Sequence, residues 1–177
     1  MSVAMKTAMA SMFLLAASAS AVQAAGAGTG QITFQGEILD SACSISPGSI
    51  DQTVSLGQVA KSQLATGGMA PPQAFEIELT GCSLTGLTDK TVTAKFTGAE
   101  SAAVPGALGI VGTAKGAGIM LVDGTGTAVT LGSSTKVQTI QAGDNTMLFG
   151  AYLKGQATGA ITPGEFTSVT NFALEYK

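Results

Sequence analysis

The sequence predicts an all-β protein, an antiparallel β-sandwich, on three observations. Apolar and polar residues alternate with a period of two along several short segments, which is typical of strands with one buried face. Turn residues, including many of the 24 glycines, separate these segments at short intervals. Only one stretch, residues 57–65, has a weak helical pattern. Many short strands without intervening helices favour two packed antiparallel sheets.

The first 24 residues have the pattern of a secretory signal peptide. An apolar run over residues 8–22 follows Lys6, and Val22-Gln23-Ala24 has small residues where a signal peptidase reads them. A transmembrane anchor is the competing interpretation, but the run has about 15 residues and a span needs roughly 20. We therefore expect cleavage after Ala24 or Ala25 and an exported chain without direct membrane insertion.

The clearest strand pattern of the mature chain covers residues 31–39. Ile32, Phe34, Gly36 and Ile38 share one face, and the other face is mostly polar. This pattern predicts a half-buried strand with a gap at Gly36. The other strand candidates are Thr53–Leu56, Ala74–Leu79, Thr91–Phe96, Gly118–Val122, Ala128–Leu131, Val137–Ile140, Thr146–Leu153 and Phe166–Tyr176.

The mature chain has two cysteines, Cys43 and Cys82. In an oxidising compartment an even pair most simply forms one disulfide. A redox pair or a metal site is the alternative, but the spacing is not that of a C-x-x-C motif and other soft ligands are missing. We therefore predict a structural disulfide between them.

The composition argues against most enzyme chemistry. The chain has no His and no Trp, and its eight basic residues are all Lys, so His-based catalysis and His-liganded metal sites are excluded. Glu76 and Glu78 alternate with apolar residues and are expected on the solvated face of a strand, not as a catalytic pair. A net charge of −3 argues against nucleic acid as a partner. We expect no catalytic site, cofactor or metal.

Several stretches, in their order and spacing, carry a resemblance to a known family. They are residues 30–38, 54–59, 75–79 and 172–176, with Cys43 after the first and Cys82 after the third. Tyr176 is penultimate and Gly164 is fourteenth from the end. In these features the chain resembles the type 1 pilins, the structural subunits of chaperone-usher fimbriae.

The resemblance implies an incomplete immunoglobulin-like sandwich that lacks its last strand. Residues 25–39 of one subunit would form a donor strand that fills a groove in the next subunit's pilin domain, residues 40–177. Ile32, Phe34 and Ile38 would be the plugs, and Gly36 the position without one. The resemblance implies an acceptor and chaperone-binding strand with Gly164, Phe166, Phe172, Leu174, Tyr176 and Lys177.

The implied partners are identical or related pilin subunits, a periplasmic chaperone that holds the carboxylate of Lys177, and an outer-membrane usher. The product would be a helical homopolymer, an extracellular fimbrium through which the cell adheres. Three alternatives stay open. They are a minor tip or adaptor pilin, a self-complete secreted β-sandwich that binds a ligand, and a secreted hydrolase.

Overall fold

The computed structural model describes residues 30–177, so the predicted signal peptide and the first five residues of the predicted donor segment lie outside the described residues. The chain separates into two units after Glu37. Residues 30–37 form no helix or strand and are exposed. The alternation of residues 31–39 had predicted a half-buried strand, and the structure corrects that prediction for the single chain. A strand needs a neighbouring chain to satisfy its backbone hydrogen bonds.

Residues 38–177 contain ten strands and little helix. The strands are β1 (Ser44–Ile45), β2 (Gln73–Cys82), β3 (Thr91–Gly98), β4 (Leu108–Gly109), β5 (Val111–Gly112), β6 (Ala117–Asp123), β7 (Gln138–Thr139), β8 (Gly143–Gly155), β9 (Phe166–Thr167) and β10 (Thr170–Tyr176). The helices are α1 (Pro47–Ile50), α2 (Lys61–Leu64) and a 3₁₀ turn (Ala65–Gly67). The predicted all-β class is confirmed, and the weak helical pattern coincides with α2.

The strands form antiparallel sheets. One sheet has the order β1-β2-β8-β6-β4, a second has β10-β3-β7, and β5 pairs with β9. The two larger sheets meet through aromatic rings. Phe96 of β3 lies 5.0 Å from the ring of Phe149 on β8 and 6.3 Å from that of Phe75 on β2, measured between centroids. These contacts place the core between the sheets.

Strand patterning explains which side chains fill this core. On β2, Ile77 and Leu79 are fully buried, whereas Glu76 and Glu78, on either side of Ile77, are exposed. Val92, Ala94 and Phe96 on β3 are buried in the same alternating way. Each strand therefore gives one apolar face to the core, as a period of two requires.

Two further predicted strands are wrong. Residues 53–56 form no strand because the described chain supplies no ladder partner for them. Residues 128–131 make a single bridge, between Ala128 and Val122, before the chain leaves the sheet. A short alternating pattern shows which residues share an apolar face. A strand also needs a neighbouring strand to pair with, and the pattern does not predict that neighbour.

Candidate strand-acceptor groove

The C-terminal strand β10 lies at the edge of its sheet. It pairs antiparallel with β3 at seven consecutive positions, from Thr170 with Gly98 to Tyr176 with Val92. The sheet order leaves its other edge without a partner strand among residues 38–177. The free backbone groups of such an edge can pair with another strand.

One face of this segment points towards the core. Half-buried and exposed residues alternate without interruption from Phe166 to Tyr176, across the break between β9 and β10. The inward residues include Phe166, Phe172, Leu174 and Tyr176, all of which pack against the core cluster. The structure thus places four of the six predicted acceptor residues on one face, beside the free edge.

An open groove of about 1470 Å³ runs along this segment. The chain segments that line it are residues 50–59, 110–115 and 161–172. Core residues of both sheets, among them Phe96 and Leu153, line it. The groove is therefore an opening into the hydrophobic core of the kind that a missing strand leaves.

Gly164 lies where two chain segments come very close together. A Cβ atom on Gly164 would lie 2.6 Å from the backbone nitrogen of Ala114 and would also overlap the Thr113 hydroxyl. The Thr113 hydroxyl in turn accepts a hydrogen bond of 3.0 Å from the backbone N–H of Glu165. Glycine at this position therefore lets residues 113–114 pack directly against residues 164–165 in the lining of the groove.

The last two residues are held against β3. The backbone N–H of Lys177 donates to the carbonyl of Thr91, and the N–H of Thr91 donates to a backbone oxygen of Lys177, both at 3.0 Å. The Lys177 ammonium lies 3.6 Å from a carboxylate oxygen of Glu175. Burial raises the pKa of the Tyr176 phenol, and the Ser41 side chain near its hydroxyl partly offsets this effect. The end of β10 is therefore ordered although its outer edge is free.

The predicted disulfide between Cys43 and Cys82 is present. It joins the residue before β1 to the last residue of β2, and both cysteines are buried. It fixes the start of the pilin domain beside the core, close in sequence to the predicted donor segment.

The predicted donor side chains are exposed in the single chain. Ile32, Phe34 and Ile38 expose 77%, 88% and 101% of their surfaces. No heavy atom lies within 4 Å of the Cβ position of Gly36. Large apolar side chains exposed in a row are typical of a binding segment.

The wall over residues 50–59 was not identified from the sequence as part of the site. The sequence signal for this wall is the set of apolar residues Val54, Leu56 and Val59. The structure shows all three half-buried between exposed neighbours. Within residues 30–177, no helix has the length and apolar character needed to cross a bilayer. In the same range, no group of His, Cys, Asp or Glu side chains is arranged to hold a metal ion.

An antiparallel sandwich with a free C-terminal edge over an open core belongs to the class of immunoglobulin-like subunits that lack a strand. Comparison with known proteins agrees with this class. The family model described as Fimbrial protein matches residues 32–177. The chain therefore belongs to the fimbrial protein family and is a structural subunit of a fimbria.

Relatives of known name are similar over nearly the whole chain. The Fimbria A protein of Serratia marcescens is 45% identical over 159 residues, which are 89% of this chain and 90% of that protein. The major MR/P fimbria protein of Proteus mirabilis is 41% identical over 155 residues, 87% of each chain. The predicted pilin family is confirmed.

Solved structures show the same fold. The crystal structure of the P pilus rod subunit PapA matches with a TM-score of 0.69 and 34% identity, over 77% of this chain and 100% of that one. A subunit from the structure of a chaperone-usher pilus matches with a TM-score of 0.75 and 34% identity, over 85% and 96%. The fold predicted by the resemblance is confirmed.

Proposed function

We propose that this chain is the major shaft subunit of its fimbria and that it polymerises by donor-strand exchange. Residues 25–39 of one copy enter the groove of the next copy, pair with the free edge of β10 and complete its sandwich. Ile32, Phe34 and Ile38 enter the groove as plugs. Because the groove and the donor segment are different surfaces, the contact is heterologous, and each added copy offers a new donor segment or groove from which the filament grows.

The observation that carries this proposal is the free edge of β10 above an open groove of about 1470 Å³. Burial of each large plug is worth roughly 1.5–3 kcal/mol, and the strand hydrogen bonds add to this. The relatives support the shaft role over a tip or adaptor role, since one is named as a major fimbria protein and another as a rod subunit.

The free subunit needs a temporary partner for the same edge. We propose that a periplasmic chaperone covers β10 and anchors the Lys177 carboxylate, and that an outer-membrane usher catalyses the exchange. Residues 1–24 would direct export to the periplasm, and the finished fibre would stand on the cell surface. An exposed apolar groove and an unpaired strand edge would otherwise promote aggregation.

Paired substitutions on the two faces of the donor segment test the proposal. Phe34→Asp places a charge on the inward face, and Gln35→Asp places the same charge on the outward face. We expect Phe34→Asp to abolish fibres in electron micrographs of the cell surface, while its subunit still accumulates with the chaperone. Gln35→Asp should assemble. Equal fibre yield from both variants would contradict donor-strand exchange.

Gly36 gives a second test of the inward face. A glycine at an inward position of an alternating strand often marks close approach of another backbone. Gly36→Leu should therefore block subunit exchange and leave the chaperone complex intact, because the chaperone supplies its own strand. Thr33→Leu, which introduces the same side chain on the outward face, is the control. Normal fibres from Gly36→Leu would show that the register is wrong.

A further inference from the structure

Two exposed valines lie beside the groove on the outer face of the sheet. Val111 and Val169 expose 72% and 77% of their surfaces. Val169 lies in the break between β9 and β10, where the alternation of burial places it outward. Val111 belongs to β5 and pairs with Thr167, two residues before Val169. Both residues border the groove, and their exposed side chains form a small apolar patch on the outward side of this segment.

The outward face of the donor segment has one apolar residue. The outward positions from 31 to 37 hold Gln, Thr, Gln and Glu, and the next outward position is Leu39. Leu39 exposes 64% of its surface. Because successive strand residues point to opposite faces, Leu39 cannot enter the groove together with Ile38.

We propose that Leu39 of one copy packs against Val169 of the next copy, on the outer face of the completed sheet. This inference rests on donor-strand exchange and adds a contact on the face opposite the plugs. The occupant is a second copy of this chain, and the contact is continuous with the strand pairing described above.

The register follows from matching apolar residues to apolar residues. If the donor runs antiparallel to β10 with its plugs inward, Leu39 can lie opposite Val169 or opposite Thr167. In the second case Leu39 is diagonal to Val169, at roughly 7 Å between Cβ atoms. A shift of the donor towards Gly164 would instead place Leu39 beside Glu165 and leave Val169 opposite Gln35. The proposal excludes that shifted register.

Cross-linking in assembled fibres distinguishes the registers. The native cysteines form the disulfide, and no other cysteine lies in residues 30–177. Fibres of the Leu39→Cys, Val169→Cys double variant are treated with a short bifunctional maleimide. The matched control carries Thr33→Cys with Val169→Cys, which reaches the cross-linking distance only in the shifted register.

We expect a ladder of covalent multimers from the Leu39 pair and none from the Thr33 pair. A ladder from the Thr33 pair alone would overturn the proposed contact but leave donor-strand exchange in place. Cross-linked monomers without a ladder would mean that the chain fills its own groove, and donor-strand exchange itself would then be wrong.

A heat-dissociation series tests whether the contact stabilises the fibre. Leu39→Ser and Val169→Thr should each lower the temperature at which fibres release monomers by a few degrees. The double variant should lose little more than either single variant, because both substitutions remove the same contact. Gln35→Ser should leave the temperature unchanged. Fully additive losses, or no loss in Leu39→Ser, would contradict the contact.

Discussion

At the level of single residues, Gly164 offers a sharp test of local packing. In Gly164→Ala the added Cβ would lie 2.6 Å from the backbone nitrogen of Ala114, so residues 113–114 must move. Overpacking of this kind typically costs about 1–3 kcal/mol. We predict a lower midpoint in urea unfolding of the purified subunit.

Gly48→Ala is the matched control for this substitution. Gly48 lies in α1, and nothing stands within 4 Å of its Cβ position. In a helix, alanine is more favourable than glycine by roughly 1 kcal/mol, so this variant should be neutral or more stable. If Gly164→Ala were as stable as Gly48→Ala, the close approach of residues 113–114 would not matter for folding.

Asp123 gives a prediction for the pH dependence of stability. The hydrogen bond from the Thr125 hydroxyl, with backbone bonds from Thr125 and Thr127, lowers the pKa of this carboxyl below 3.8. Lys136 lies 3.9 Å away. A depressed pKa stabilises the folded state above the unfolded value, and this contribution disappears as the pH falls through the folded value.

We therefore predict that Asp123→Asn destabilises the subunit at pH 7 and that the difference from wild type shrinks towards pH 3. Urea midpoints measured from pH 3 to pH 7 check this. Glu175→Gln is the control, since Glu175 is exposed beside Lys177. A difference between wild type and Asp123→Asn that is constant over this range would contradict the assignment to this carboxylate.

At the level of elements, the alternation of β10 predicts opposite outcomes at neighbouring positions. Leu174 is half-buried and packs against the core, whereas Ala173 is exposed beside Lys95 of β3. We predict that Leu174→Asp sharply lowers the amount of subunit in periplasmic extracts and that Ala173→Asp does not. An inward charge would be desolvated in the core, whereas an outward one faces Lys95.

Co-expression of the chaperone shows whether Leu174→Asp and Ala173→Asp affect folding of the subunit or its binding by the chaperone. If Leu174→Asp accumulates like wild type whether or not the chaperone is present, the inward face of β10 has no part in the core or in chaperone binding. If the wild-type subunit accumulates without a chaperone, β10 already has a partner within its own chain.

The long strands could be predicted from the sequence because each buries one face. The patterns over residues 74–79, 91–96, 118–122 and 146–153 all lie within strands, which extend a few residues further. Strands of two residues, such as β4 and β5, are too short to carry a period. Their pairing depends on segments that are distant in sequence.

In the candidate site too, the features that depend on local pattern could be predicted from the sequence, and those that depend on tertiary contacts could not. The inward residues of β10 follow from alternation, and the disulfide follows from export and an even cysteine count. The alternation over residues 54–59 marks an apolar face, but the position of that face in the groove, like the cradle of Gly164 by residues 113–114, depends on tertiary proximity. The exposed outward pair, Val111 and Val169, is likewise recognisable only after the register of β5 with β9 is known.

At the level of the whole molecule, the disulfide compensates for an incomplete core. Cys43 and Cys82 are 39 residues apart, and closing such a loop contributes about 4 kcal/mol in the chain-entropy model. A domain has a total stability of roughly 5–15 kcal/mol, and this one leaves its core open through a groove. Loss of the disulfide should therefore remove much of the stability of the free subunit.

We predict that the Cys43→Ala, Cys82→Ala variant is rapidly degraded as a free subunit but remains protease-resistant once it is in a fibre. A docked donor strand binds only the folded domain and so shifts the folding equilibrium back towards it. The measurement compares the rates of cleavage by a Lys-specific protease for free subunit and for fibres, with Ser44→Ala as the control beside Cys43. If the free double variant resists cleavage as well as the Ser44→Ala control does, the sandwich is stable without the disulfide. The open groove would then lower the stability of the free subunit much less than we expect for a domain that lacks a strand.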